Sequence, residues 1–84
     1  MKTAFLLLAQ YEKPLIPLKE ISEVYFGCAP GTAQKKASSG SLPLPIVRLS
    51  KSQKSPLFVH INDLAEFIDQ QTEKAREEWE SVNL

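Results

Sequence analysis

From Thr3 to Glu12 the chain (TAFLLLAQYE) is apolar almost all round and rich in strong helix formers. It reads as a short helix, with a buried strand as the alternative, because so short a run does not separate the two periods. Pro14 and Pro17 break it, and Leu15 and Ile16 between them are expected to be extended. The helical period is clearer from Pro17 to Phe26. Leu18, Ile21, Val24 and Tyr25 recur at helical spacing, with Lys19, Glu20 and Glu23 on the other side. Pro17 suits the first helical turn, where its missing N–H costs nothing, and Gly27 suits the end.

Ala29 and Pro30 open the next piece, and Thr32 to Ser39 reads as a short helix closed by Gly40. Ala33 and Ala37 share its inward face. Two helices joined by a short, glycine-containing turn are a helix-turn-helix arrangement. Leu42 to Leu49 and Leu57 to Ile61 alternate as strands do, and the polar SKSQKS between them makes a hairpin with a long tip. Pro43, Pro45 and Pro56 fall at strand starts and imply edge positions. Asn62 is an N-cap for a helix running from Asp63 to about Glu80, with Asp63 and Glu66 in its first turn. Ile61, Leu64, Ile68, Ala75, Trp79 and Val82 follow three-four steps, with Gln71 completing the row. Lys74 with Glu78 and Arg76 with Glu80 are spaced to pair along this helix. The expected fold is one α+β domain spanning residues 1–84, of winged helix-turn-helix type.

Charge sharpens this picture. The formal net charge is zero, but from Val24 to Asn62 there is no acid, while Lys35, Lys36, Arg48, Lys51 and Lys54 fall in that stretch. From Asp63 onward seven acids face only Lys74 and Arg76. A chain so divided can turn one basic face to a polyanion. Composition, 43% hydrophobic and 24% charged, argues against a wholly disordered chain. A single cysteine, Cys28, forms no internal disulfide and fits a reducing compartment. The apolar run Phe5 to Ala9 is too short to span a membrane, so a cytoplasmic location is expected.

Enzymatic readings lack parts. One histidine and one cysteine make too few ligands for a His/Cys metal cluster, and the three glycines form no phosphate loop. No catalytic group, metal or cofactor is expected. Cys28 reads as a packed small residue and His60 as a hydrogen bonder on a strand. DNA binding, in contrast, finds its requirements met. Thr32, Gln34, Lys35, Ser38 and Ser39 lie away from the Ala33–Ala37 face, and Gln34 can pair bidentately with adenine. Thr32, Gln34, Lys35 and Ser38 are the candidates for base or groove contact. Lys36, Arg48, Lys51, Gln53 and Lys54 are the candidates for phosphate. Taken singly, each is also what an ordinary solvated helix face or polar turn would carry.

Three stretches, FLLLAQYEKPLIPL, YFGCAPGTAQKKASSGSLPLP and QKSPLFVHINDLAEFIDQQ, resemble the pyocin activator (PrtN-type) family of small bacterial and prophage regulators. The similarity covers nearly all of residues 3 to 72. More distantly, Leu15 to Ile68 is similar to excisionase, AlpA-like and MerR-like winged helices. The resemblance implies a transcription activator of bacteriocin or phage-tail-like genes, acting on promoter DNA. It maps the reading segment to Pro30 through Ser39 and the wing to Arg48 through Ser55. Excisionase-like relatives often carry Ser where Ala29 stands, so the start of the reading helix departs from their pattern.

Double-stranded promoter DNA is therefore the expected partner. A second copy and RNA polymerase are the candidate protein partners; the first helix and the last, with Trp79 and Val82, are the surfaces for the former, the alternative being that both helices simply pack on this chain's own core. Two other readings remain at this level: an adaptor that binds a regulator through its acidic helix, and an excisionase-like protein that bends DNA.

Overall fold

A computed structural model describes residues 2–51 and 55–83. Among them the chain forms four helices and a three-stranded antiparallel sheet, an α+β architecture. In chain order these are α1 (Lys2–Tyr11), β1 (Leu15–Pro17), α2 (Leu18–Phe26), α3 (Pro30–Ser38), β2 (Val47–Arg48), β3 (Leu57–His60) and α4 (Ile61–Asn83).

β3 is the middle strand, with β1 on one side and β2 on the other. Its alternation follows the pleat: Leu57 and Val59 are buried, Phe58 and His60 half-buried. Val59 stands opposite Ile16 of β1, and both are wholly buried. The edge position expected from Pro56 is thus corrected. Pro56 lies just before β3, so its missing N–H removes no ladder bond. The strand expected over Leu42 to Leu49 shrinks to Val47–Arg48. Pro43 and Pro45 have no N–H to give a ladder, and the segment instead runs along α4 beside Asp63, Glu66 and Phe67. Leu42, Leu44 and Ile46 pack against the core from there.

Pro17 belongs to β1 and precedes α2 instead of opening its first turn. α2 ends at Gly27, whose φ of 65° is left-handed backbone and whose N–H donates to the Ser22 carbonyl. α3 closes through Gly40 (φ 72°). There the Ser41 N–H reaches the Lys36 carbonyl at 2.8 Å and the Gly40 N–H reaches Ala37 at 3.2 Å, the paired bonds of a Schellman ending.

α4 is longer than the expected 63–80, and Asn62 lies inside it. The cap comes from His60, as described below, because β3 runs directly into the helix. The Ile61 N–H donates to the Pro14 carbonyl at 2.8 Å and ties this junction to the chain before β1. α1 packs along α4, burying Leu7, and Thr3 Oγ1 donates to Asp69 Oδ1 at 2.5 Å. Phe26 and Phe67 rings, 5.4 Å apart and tilted, join the end of α2 to α4. The expected Lys74–Glu78 and Arg76–Glu80 pairs do not close; the ion pair among the described residues is Lys13–Glu20 at 3.8 Å. Exposed pairs of that kind gain little over the entropy of holding two long side chains.

Candidate nucleic-acid interface

α3 is held by small residues. Ala33 is wholly buried against the core, and Ser22, on the facing helix α2, is also wholly buried. A small side chain at Ala33 lets α3 lie close to the core and fixes the rotation of the helix. With Ala33 and Ala37 turned in, the remaining positions divide into two rows. Gly31, Gln34, Lys35 and Ser38 form one, at helical spacing; Thr32, Lys36 and Ser39 form the other.

Only the first row meets the sheet edge. Gly31, Gln34, Lys35 and Ser38 line one open groove with Arg48 of β2 and Lys51 beyond it, a space of about 730 Å³. Three cations border this groove and no acid does. The helix and the basic segment after β2 therefore lie side by side. The acids of α4 sit elsewhere: Asp63 and Glu66 beside Pro43–Pro45, and Glu66, Asp69 and Glu73 beside Ala4 of α1. The acidic helix does not wall off the basic groove.

Of the ten residues singled out from the sequence, Gln34, Lys35, Ser38, Arg48 and Lys51 come together here. Thr32, Lys36 and Ser39 are exposed on the other flank of α3. Gln53 and Lys54 lie outside the described residues. The serine hydroxyls are partly engaged: Ser38 donates to the Gln34 carbonyl at 3.2 Å, and Ser39 donates to the Lys36 carbonyl at 3.1 Å and pairs with Ser41 at 2.7 Å. Gln34 carries no such internal bond among those described, so its amide faces the groove with donor and acceptor both available.

A second groove adjoins the first and shares Gly31 and Gln34 with it. Its other walls include Lys19 at the start of α2, Pro30, and Ser55 and Pro56 just before β3. Sequence reasoning missed Lys19 and placed it on the outer side of its helix with Glu20 and Glu23. The helical period does assign it to that side; what it lacks is the position of Ser55 to Leu57, which lie beside the start of α2. Gln34 thus stands between Lys35, Arg48 and Lys51 on one side and Lys19 and Ser55 on the other.

Among the described residues there is no group of three His, Cys, Asp or Glu side chains placed to hold a metal ion. No helix is long and apolar enough to cross a membrane. A family model described as Pyocin activator protein PrtN matches residues 3–75. Comparison with curated proteins returns no match, and comparison with solved structures returns none.

Proposed function

The chain belongs to the pyocin activator protein PrtN family, and from that premise we propose that it is a sequence-specific DNA-binding transcription activator. In this reading α2 and α3 are a helix-turn-helix, and the hairpin between β2 and β3 is its wing. The protein acts in the cytoplasm on the promoter region of bacteriocin or phage-tail-like genes, with RNA polymerase as the partner that activation requires, and it catalyses no reaction.

The observation that carries this is the acid-free groove between α3 and β2. A major groove about 12 Å wide admits one α-helix. α3 would lie in it with Gln34 at base edges, where its amide can both donate to and accept from adenine. Lys35 reaches guanine or a phosphate from the same face. Arg48 and Lys51 meet the sugar–phosphate backbone beside that groove, and Lys19 meets it on the other side of Gln34. Ser38 contributes bulk and a hydroxyl at the far end. Thr32, Lys36 and Ser39, on the opposite flank, take no part in base reading.

Fluorescence anisotropy with labelled promoter fragments tests this. Affinity should fall steeply with salt, because each neutralised phosphate releases counterions. Lys35→Ala with Arg48→Ala should flatten the logarithmic salt slope by about 1 to 2. Binding that ignores salt, or that survives this double change undiminished, would rule the interface out.

A further inference from the structure

Gly27 and Gly40 stand where the backbone is left-handed. Gly31 has no such reason to be glycine. It is the second residue of α3, and its φ lies outside the left-handed range. A Cβ built on it meets nothing within 4 Å, so the packing of this chain does not require a bare Cα there either. Glycine in a helix loses more backbone freedom on folding than alanine does. The residue therefore costs stability that nothing in the free protein calls for.

What surrounds Gly31 is the candidate interface. It is exposed, and with Gln34 it lines both grooves. Gln34 follows it by three positions and Lys35 by four, so the three share one face of α3. Helical side chains lean back toward the N-terminus, so Gln34 extends over the turn that contains Gly31. The surface ahead of Gln34 is thus bare backbone.

We propose that Gly31 is a positioning residue for base reading: its missing side chain lets duplex DNA come close enough for the Gln34 amide to reach a base edge. The inference rests on the DNA-binding reading above and adds what sets the depth of α3 in the groove. A helix with its side chains measures about 10–12 Å across and the major groove about 12 Å, so the fit has little slack. A hydrogen bond of about 2.9 Å is lost by about 3.6 Å, so a retreat of less than about 1 Å breaks the Gln34 contact. A methyl group at the leading end of α3 is large enough to cause it. Lys35, Arg48 and Lys51 tolerate the same retreat, because attraction between unlike charges falls off slowly with distance.

Fluorescence anisotropy with two labelled duplexes tests this: the site that the native chain selects from a randomised library, and a scrambled duplex of equal length. Gly31→Ala should lower affinity for the selected site about tenfold or more, the size of one good bidentate contact. Affinity for the scrambled duplex, and its salt slope, should change little. Gly31→Leu, larger still, should lose at least as much. Placed on top of Gln34→Ala, Gly31→Ala should cost little further, because the contact it disturbs is already gone. In the free protein Gly31→Ala should raise the urea midpoint, which separates a weaker complex from poor folding. Unchanged site preference in Gly31→Ala, or full additivity with Gln34→Ala, overturns the proposal while leaving DNA binding intact. A native chain that selects no site removes the DNA-binding reading and this inference with it.

Discussion

The imidazole Nδ1 of His60 accepts a hydrogen bond from the backbone N–H of Asn62 at 3.0 Å. His60 is the last residue of β3, and Asn62 is the second of α4. One side chain therefore satisfies an N–H that helix geometry leaves orphaned, at the point where strand becomes helix without a loop. An accepting Nδ1 places the proton of the neutral ring on Nε2.

His60→Ala should accordingly lower unfolding free energy by about 1 kcal/mol, the usual worth of an N-terminal cap. His60→Asn, which keeps a short acceptor, should recover part of the loss. Urea denaturation followed by circular dichroism measures both. Equal stability of the alanine variant and the native chain would show that the bond contributes nothing.

Ser22 is wholly buried, and its hydroxyl has no hydrogen-bond partner. A buried polar group in that condition costs about 1–3 kcal/mol of desolvation. Ser22→Ala removes the hydroxyl while keeping a small side chain at this wholly buried position. It should raise the urea midpoint, by up to about 1 kcal/mol in free energy. Ser22→Leu should lower it by about 1–3 kcal/mol, because added carbons at a wholly buried position overpack the interior.

The two rows on α3 should separate in DNA binding. Gln34→Ala is expected to relax base preference by about 1–3 kcal/mol between preferred and changed sites, with little effect on salt dependence. Lys35→Ala should weaken binding to all sequences. Lys36→Ala, on the other flank, should change affinity far less than Lys35→Ala. Competition binding with a randomised site library reads all three, and an equal loss from both lysines would mean that α3 sits in the groove differently.

Tyr11 ends α1, and its phenol is held above the ordinary value of 10.0. Burial is the main cause, followed by the neighbouring Tyr25, which also hydrogen-bonds to it, and then Glu20. The folded state keeps this proton at a pH where the unfolded chain has lost it, so the unfolded state binds fewer protons and stability falls as pH rises. The contribution is complete below about pH 10 and disappears as pH climbs through the raised folded value. Stability measured between neutral pH and about pH 11 should fall more for the native chain than for Tyr11→Phe. Parallel curves would refute the linkage.

Much of this molecule could be read locally. Gly27 and Gly40 end their helices because a left-handed residue is needed there and only glycine takes it freely. The alternation of Leu57 and Val59 made a half-buried strand, and the four-residue spacing of Ala33 and Ala37 marked the inward face of α3. The separation of basic from acidic residues is written directly in residue order. Where local reading missed, a distant partner had decided. Leu42 to Ile46 alternates like a strand but has α4 to lie on and prolines that give no ladder bonds. Asn62 looks like a cap, yet the chain enters α4 earlier and His60 caps it instead.

Residue order by itself indicated α2, α3, α4 and β3 and where positive charge accumulates, since both depend on near neighbours and backbone sterics. It could not place β3 at the centre of the sheet, put Arg48 across a groove from Gln34, or bring Lys19 beside it. Those follow from contacts such as Ile16 against Val59, between segments remote along the chain, and only burial in three dimensions chooses among such pairings.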